Sequence, residues 1–295
     1  MITINTDIIK NIGNTPLIRL NGLIENINYE GNIYAKLEYY NPFGSIKDRV
    51  ALMIIQEAER LDLLSNNKTI IEATSGNMGI GLAAISQIKG YKCKIIMPKN
   101  MSNKRKALIK SYGADLILTK ENDGMQGSIS KAHEILSKNK FKYYFTDQFN
   151  NYASINAHYL HTAPEIFNQL KSNIDVIICG IGTGATIMGI GNYFKCHKPS
   201  VEIIGILPIQ NPHHIQGIGA GFHPPFLNLN CINKIIYIDD SEAFHYKELI
   251  QKYDNQFVGI SSGAVIAGLI KLLNSGIYNK KNIVLIFADG GERYI

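Results

Sequence analysis

The sequence lacks the features that mark several common protein classes. Residues 1–30 contain Pro16 and several asparagines but no unbroken apolar run, so we expect neither a signal peptide nor a transmembrane helix. The four cysteines show no CxxC spacing and have mostly apolar neighbours, which favours reduced thiols in the cytoplasm. No P-loop ending in Gly-Lys-Ser or Gly-Lys-Thr is present.

Metal and nucleic-acid sites are not indicated either. His133 lacks a second histidine at helical spacing, and His158 with His161 has Glu165 as its one nearby acidic partner, so we expect no metal site. The formal net charge is +6 at pH 7, but the lysines are dispersed and the densest basic run, residues 99–106, contains no aromatic side chain. This run favours a solvated helix face over a nucleic-acid interface.

The composition is that of a globular protein, with 45% hydrophobic and 18% charged residues. Short apolar runs alternate with amphipathic stretches along most of the chain, which predicts α/β architecture with parallel sheets covered by helices on both faces. Ligands bind at the carboxyl ends of the strands in such sheets. Residues 208–233 carry four prolines and three glycines with little periodicity, and we expect a long functional loop there.

The alternation of strands and helices is interrupted once, by a helical stretch over residues 152–170 that we expect to break at Pro164. We therefore predict two α/β domains, an N-terminal one over residues 1–149 and a C-terminal one over residues 150–295. The first ~35 residues are a segment that can cross from the N-terminal to the C-terminal domain.

A turn over residues 41–49 delivers one lysine to the start of a helix. Pro42 and Gly44 end the preceding strand pattern, and Ser45 with Asp48 resembles a capping box. Lys47 then lies in the first turn, where the helix dipole disfavours a cation. A lysine with a disfavoured ammonium form is a good nucleophile for imine formation. A surface lysine is the alternative interpretation.

Two further loops lie between a strand and a helix and can bind anions. Thr74-Ser75-Gly76-Asn77 combines hydroxyls, an amide and free N–H groups, which suits a carboxylate, although a simple N-cap is the alternative. Residues 180–186, Gly-Ile-Gly-Thr-Gly-Ala-Thr, suit a phosphate. The same residues match a GxGxxA dinucleotide pattern, but the acid expected at the end of the next strand is absent, because Glu202 begins that strand.

A third loop, residues 259–263, matches the GxSxG nucleophile elbow of hydrolases. Such a hydrolase needs a histidine after its serine and acid, and none follows His245. The elbow interpretation therefore fails. The hydroxyl of Ser261 can instead meet a heteroatom of a bound ligand.

Four features together suit pyridoxal phosphate: the imine-forming lysine, the carboxylate-binding loop of residues 74–77, the single serine Ser261, and the phosphate-binding loop of residues 180–186, which we call the phosphate cup. The sequence resembles the cysteine synthase, or O-acetylserine sulfhydrylase, family of the tryptophan synthase β type. The resemblance spans nearly the whole chain, and the matching motifs are Ile12-Gly13-Asn14-Thr15-Pro16-Leu17, residues 41–49, 74–79 and 180–186, Gln216-Gly217-Ile218-Gly219-Ala220-Gly221-Phe222, residues 259–264 and Gly291-Glu292-Arg293-Tyr294.

The resemblance implies two three-layer domains with mainly parallel central sheets and pyridoxal phosphate in the cleft between them. It implies that Lys47 forms the imine with the cofactor and moves the Cα proton. The other implied roles are cofactor ring-oxygen binding by Asn77, pyridine-nitrogen contact by Ser261, phosphate binding by Gly182, Thr183, Gly184, Ala185 and Thr186, and substrate binding by Thr74, Ser75, Asn77, Met78 and Gln148.

The implied reaction is β-replacement or β-elimination at Cβ of cysteine or O-acetylserine through an aminoacrylate, with sulfide as nucleophile or product. A hydroxyl at the pyridine nitrogen leaves this nitrogen largely unprotonated and favours elimination over transamination. The resemblance also implies closure of the smaller domain over the substrate, a cytoplasmic homodimer, and possible binding of the carboxy-terminal tail of serine acetyltransferase. We expect no nucleic-acid or membrane partner.

Three residues depart from the family pattern. Met78 replaces a usual threonine, Cys179 a frequent serine and Ala185 a usual glycine. Plant β-cyanoalanine synthases, which consume cysteine, carry methionine at the first of these positions. The sequence therefore leaves three possibilities open: a cysteine-forming enzyme, a cysteine-consuming lyase that releases sulfide and makes serine, lanthionine or cyanoalanine, and a catalytically weak regulatory partner of the acetyltransferase.

Overall fold

The alternating apolar runs form two parallel or nearly parallel sheets in a computed structural model that describes residues 7–294. The chain divides into two compact units. Unit 1 contains residues 7–12 and Ser45–Ser154, and unit 2 contains Gly13–Gly44 and residues 155–294. Residues 13–44 thus belong with the later part of the chain. The division into domains 1–149 and 150–295 stays a prediction.

Unit 1 is built on a four-stranded, all-parallel sheet in the order β5-β4-β3-β6. Its strands are β3 (Thr69–Ala73), β4 (Lys92–Pro98), β5 (Asp115–Thr119) and β6 (Tyr143–Phe145), and its helices are α2 (Lys47–Arg60), α3 (Asn77–Lys89), α4 (Asn103–Ser111) and α5 (Gly124–Lys138). Every residue of the central strand β3 is buried, as expected for a parallel strand covered on both faces.

Unit 2 is built on a six-stranded sheet in the order β1-β2-β10-β7-β8-β9, in which β1 alone is antiparallel. Its strands are β1 (Leu17–Arg19), β2 (Asn32–Leu37), β7 (Val176–Gly180), β8 (Glu202–Pro208), β9 (Lys234–Ile238) and β10 (Asn282–Phe287), and its helices are α1 (Asn21–Asn26), α7 (Ala163–Gln169), α8 (Ala185–His197), α9 (Asp240–Asp254) and α10 (Ile260–Leu273). Helix α6 (Ala153–Ala157) lies where the chain passes from one unit to the other.

A short helix that the sequence does not predict is α1. Its residues Asn-Gly-Leu-Ile-Glu-Asn include poor helix formers, so local propensity does not indicate a helix. The N–H groups of Gly22 and Leu23 donate to the carboxylate of Asp254 at 2.9 and 2.8 Å. A side chain distant in sequence therefore caps this helix and supplies what the local sequence lacks.

The predicted break at Pro164 is wrong. Pro164 is the second residue of α7, which directly follows a π-helical segment, so the chain stays helical on both sides of it. The irregularity comes earlier, as a π-helical segment over His158–Thr162. No helix among the described residues is both long and apolar enough to cross a bilayer.

Candidate active site

Lys47 is the first residue of α2, in the opening turn where the sequence predicts it. The predicted capping box is wrong in detail. The Ser45 hydroxyl accepts from the N–H of Lys47 at 3.2 Å, and the Asp48 carboxylate is 3.5 Å from the same hydroxyl. The Ser45 hydroxyl therefore binds the first N–H of α2, while the N-cap position itself is Ile46.

Burial lowers the pKa of Lys47 to about 8, and the negative charge of Glu72 acts in the opposite direction. With this pKa about a tenth of the amine is uncharged at pH 7, far more than for an ordinary lysine, and imine formation and proton abstraction both require the uncharged form. The sequence predicts this property from the helix position, whereas the structure shows burial as its main physical cause.

The loop after β3 carries the predicted carboxylate-binding residues. Thr74 is buried, and its hydroxyl accepts from the N–H of Gly76 at 3.3 Å. Asn77 begins α3, which has no side-chain cap at its N-terminus. Met78, the next residue, is 1% exposed, so a large apolar side chain lies directly behind the loop. Hydroxyls and the α3 N-terminus are therefore gathered at this end of the sheet.

Arg105 also lies at this loop, which the sequence does not predict. A Cβ added to Gly76 would lie 2.8 Å from Nε of Arg105, so the guanidinium packs closely against the loop backbone. Arg105 is 4% exposed, although its neighbours in the basic run 99–106 suggest a solvated helix face. The prediction of a solvated face is wrong for this one residue, because tertiary packing buries it.

Gln148 lies beyond the end of β6, the strand adjacent to β3. The pairing of Ile71 with Phe145 aligns the carboxyl ends of these two strands. Gln148 is 4% exposed, and its N–H donates to Oε2 of Glu72 at 3.1 Å. Unit 1 therefore brings Gln148 and the Thr74–Asn77 loop to the same sheet edge.

The predicted phosphate cup lies in unit 2, between the end of β7 and the start of α8. Gly184 has φ +85, which favours glycine, and a Cβ added to Gly182 would approach the carbonyl oxygen of Gly217 to 2.5 Å. The N–H of Ala185 donates to the Thr183 hydroxyl at 3.3 Å, and α8 has no side-chain cap. Glycine backbone and threonine hydroxyls thus lie at the N-terminus of α8, where an anion is favoured.

His158 orders the far side of the cup. The ring is fully buried in the π-helical segment, with Nε2 3.3 Å from the Thr186 hydroxyl and Nδ1 3.0 Å from that of Thr162. From the sequence, His158 is a candidate metal ligand for which no metal site is expected. Its position next to the cup depends on the π-helical geometry and could not be read from spacing.

Ser261 is the second residue of α10, in unit 2, and is 4% exposed. Its hydroxyl makes no hydrogen bond to any residue that the structure describes. A Cβ added to Gly217, which has φ +97, would find this hydroxyl at 4.0 Å and no other atom as close. The hydroxyl therefore lies near Gly217, in the segment from Gln216 to Phe222.

Each of these groups suits one part of pyridoxal phosphate. The cup offers N–H groups and hydroxyls for a phosphate, the lone Ser261 hydroxyl suits a ring heteroatom, and Lys47 has the lowered pKa that imine formation needs. In unit 2 the suitable groups are neutral hydrogen-bond donors, and in unit 1 the suitable group is an ionisable amine.

Comparisons with known proteins agree with this chemistry. Residues 8–289 match the family of pyridoxal-phosphate dependent enzymes. The cysteine synthase of Buchnera aphidicola subsp. Schizaphis graminum is 44% identical over 301 residues, covering 96% of this chain and 92% of that protein. The cysteine synthase of Staphylococcus aureus strain N315 is 39% identical over 297 residues, covering 96% and 93%.

Two solved structures are similarly close. Cysteine synthase from Entamoeba histolytica has a TM-score of 0.95 at 36% identity, covering 99% of this chain and 89% of that one. A hydrogen sulfide-producing enzyme from Fusobacterium nucleatum has a TM-score of 0.94 at 36% identity, covering 99% and 100%. The predicted family, α/β fold class and cofactor are confirmed. The chain belongs to the cysteine synthase family of pyridoxal-phosphate dependent enzymes.

Proposed function

We propose that this enzyme makes cysteine by replacing the acetate group on Cβ of O-acetylserine with sulfide. The observation that carries the proposal is Lys47, an amine in the first turn of α2 whose pKa is lowered to about 8. The cysteine synthases that resemble the chain over nearly its full length support the same reaction.

Lys47 would hold the cofactor and, once released by the substrate, would take the Cα proton and later return it. Pyridoxal phosphate supplies the electron-withdrawing ring that acidifies Cα. The amine must be uncharged to accept a proton, and desolvation of Lys47 favours that form. The residue thus serves as both tether and general base.

The substrate carboxylate would bind at the sheet edge of unit 1. Thr74, Ser75, Asn77 and Gln148 offer hydroxyl, amide and backbone donors there, and Met78 would border the same site. Asn77 would also donate to the ring oxygen of the cofactor. Several donors on one carboxylate orient Cα toward the base and exclude water from the reacting carbon.

The phosphate would bind to Gly182, Thr183, Gly184, Ala185 and Thr186. Its charge is met there by N–H groups and hydroxyls, so unit 2 needs no titrating group to hold it. The Ser261 hydroxyl would contact the pyridine nitrogen. A hydroxyl is a weaker proton donor than a carboxylic acid, so the ring withdraws electrons moderately, which suits elimination at Cβ more than transamination.

A cysteine-consuming lyase is the second candidate function. Met78 is buried, and burial raises the pKa of Cys179 to about 12, so both side chains present uncharged sulfur. The similarity to a hydrogen sulfide-producing enzyme also favours this candidate. The products from cysteine would be sulfide with serine, lanthionine or cyanoalanine, depending on the nucleophile.

Assays with O-acetylserine and with cysteine as separate substrates distinguish these two candidate functions. Purified holoenzyme is given O-acetylserine with sulfide, or cysteine alone, and acetate, sulfide and amino-acid products are followed. Acetate release with cysteine formation supports the leading proposal, whereas faster sulfide release from cysteine supports the second. The Met78→Thr variant tests whether this side chain shifts the ratio of the two rates.

We further propose a cytoplasmic homodimer that can bind the carboxy-terminal tail of serine acetyltransferase. Membership of the cysteine synthase family supports these assignments. Light scattering of the holoenzyme measures subunit number. A tail peptide that binds while neither donor turns over would favour a regulatory partner over an enzyme.

A further inference from the structure

A carboxylate lies where the fold would ordinarily exclude one. Glu72 is the fourth residue of β3, the central buried strand of unit 1, and is 1% exposed. Placing an ionisable group in the interior of a parallel sheet is costly unless it is hydrogen-bonded. The reason for its presence should be found in the groups that it contacts.

Those groups belong to the segment that carries Gln148. Oε2 of Glu72 accepts from the Thr146 hydroxyl and, at 3.1 Å, from the Gln148 N–H. The N–H of Thr146 donates to the carbonyl of Ile71 at 3.1 Å, which extends the pairing of β6 with β3 by one residue. Glu72 therefore holds the chain just where the sheet pairing stops.

The same segment is held from its other side. The hydroxyl of Ser154 donates to the Gln148 carbonyl at 3.2 Å, and the Asn151 amide donates to the carbonyl of Thr146 at 3.0 Å. Asp147 between them has φ +43, a conformation that a non-glycine residue adopts at a cost. Hydrogen bonds are thus needed to hold the turn at Gln148 in this conformation, and Glu72 is the acceptor for the N–H of Gln148.

The charge of Glu72 acts on the groups around it. Burial raises its pKa to about 7, against the opposing bonds from Thr146 and Gln148, and Asp147 raises it further. Burial lowers the pKa of Lys47 on α2 and raises the pKa values of Tyr144 on β6 and Cys93 on β4, and the Glu72 charge adds a smaller upward contribution to each. Among these, Lys47 is the group whose protonation bears on catalysis.

We propose that Glu72 is a positioning residue of the substrate-carboxylate site, because it fixes the backbone of Gln148 at the sheet edge that also carries the Thr74–Asn77 loop. This inference rests on the proposed function, which assigns the substrate carboxylate to those residues. Without the Glu72 carboxylate, the buried N–H of Gln148 loses its acceptor and the strained turn relaxes. Substrate recognition then weakens, while the phosphate cup of unit 2 is unaffected.

Three variants distinguish the positioning role of the Glu72 side chain from the effect of its negative charge. Glu72→Gln keeps an oxygen for the Gln148 N–H, and its amide can donate to Thr146, whose hydroxyl already lies 3.4 Å from the Ile71 carbonyl. Glu72→Ala removes both contacts. Thr146→Val removes the hydroxyl bond alone, and the exposed Glu134→Gln is the matched control in the same unit.

The measurement is the dissociation constant of holoenzyme for L-cysteine and for its amide, followed through the absorbance change of the bound cofactor. For Glu72→Ala we expect cysteine to bind roughly ten- to hundredfold more weakly, as a lost buried hydrogen bond predicts, with the amide unchanged. Glu72→Gln should bind cysteine as wild type does. The turnover rate of Glu72→Gln should begin to rise at a lower pH than that of wild type, because loss of the Glu72 charge lowers the pKa of Lys47.

Two results would overturn the inference: equal weakening for cysteine and its amide in Glu72→Ala, or wild-type affinity for both. If Glu72→Ala does not fold, Thr146→Val decides: of its two bonds to this segment Glu72 then keeps only the one to the Gln148 N–H, so we expect weaker binding of cysteine and unchanged binding of the amide, and wild-type affinity of this variant for cysteine contradicts the inference. A wild-type enzyme without a cofactor band, or with a band that no amino acid perturbs, would instead contradict the proposed function.

Discussion

The two units handle charge in opposite ways. In unit 1 the candidate site contains Lys47 and Glu72, whose pKa values are shifted to about 8 and about 7 by burial. In unit 2 the candidate site consists of glycine backbone, threonine hydroxyls and Ser261, with His158 lying between two hydroxyls. Both sites include a loop between a strand end and a helix start, residues 74–77 in unit 1 and residues 180–186 in unit 2, so the architecture alone does not explain the difference.

The difference corresponds to the two tasks. A group that moves a proton must change its charge near neutral pH, so it needs a shifted pKa. A group that only holds an anion works best if it does not titrate, so N–H groups and hydroxyls suffice. The comparison therefore supports the proposed assignment of proton transfer to unit 1 and of phosphate binding to unit 2, and it can be tested variant by variant.

The largest expected effect is that of Lys47→Ala. The variant loses both the tether and the base, so we expect the rate of cysteine formation to fall by about a thousandfold or more, in line with general-base contributions. The absorption band of the lysine-bound cofactor should vanish as well. Lys110→Ala, an exposed lysine of the same unit, is the control. Retained colour and turnover in Lys47→Ala would end the assignment.

Next in size is a stability effect in unit 2. Lys36 is fully buried, and its ammonium contacts the Glu165 carboxylate at 2.8 Å, the Thr15 carbonyl at 2.7 Å and the Gln169 side chain at 2.9 Å. Breaking a buried pair leaves an uncompensated charge, so Lys36→Met should lower the free energy of unfolding by about 3–5 kcal/mol.

Urea denaturation of Lys36→Met measures this loss, and the pH profile of turnover should stay that of wild type. This outcome would sharpen the comparison, because it makes the buried lysine of unit 2 structural and that of unit 1 chemical. A changed pH profile of turnover would show that the buried charge of Lys36 also affects the reaction.

The cup offers a test with a matched control. Gly184 and Gly276 both have positive φ, but only Gly184 belongs to the cup, and nothing lies within 4 Å of a Cβ at Gly276. An alanine at either position costs about 1–2 kcal/mol in stability, because its Cβ disfavours the left-handed conformation.

Only Gly184→Ala should also weaken cofactor binding, by roughly tenfold for a distortion of that energy. Fluorescence titration of the apoenzyme with pyridoxal phosphate gives the affinity. Equal affinity in both variants would mean that the cup backbone does not hold the phosphate.

The pH dependence of turnover should follow the amine of unit 1. A base with a pKa of about 8 is charged below that value and free above it. Turnover should therefore rise with pH, by about tenfold between pH 7 and pH 9 for a single ionisation. Initial rates at saturating substrate measure it. A flat profile over this range would contradict Lys47 as the titrating base.

The smallest expected effect is that of Glu134→Gln. Hydrogen bonds from Lys131 and Lys138 lower the pKa of Glu134 to about 2, but the carboxylate is exposed and its ion pairs are screened by solvent. Thermal unfolding and turnover should match those of wild type. A clear change would show that a shifted pKa alone, without burial, matters in unit 1.

Much of this molecule could be predicted from local patterns. The predicted alternation of short apolar runs with amphipathic stretches appears in the structure as strands alternating with helices. The position of Lys47 in the opening turn of α2 and the glycine loop before α8 were predicted as well. These features depend on side-chain periodicity, turn residues and backbone freedom, which neighbouring residues determine.

The sequence by itself therefore determined the alternation of strands and helices, the three candidate loops and the type of cofactor that they suit. Only the tertiary structure decided that Asp254 caps α1, that Glu72 holds Gln148, and that Arg105 and His158 are buried beside the two anion loops. Each of these contacts joins residues far apart in the chain or depends on an irregular helix. Burial and partner choice at such sites are set by packing, because desolvation depends on every neighbour in space and not on spacing along the chain.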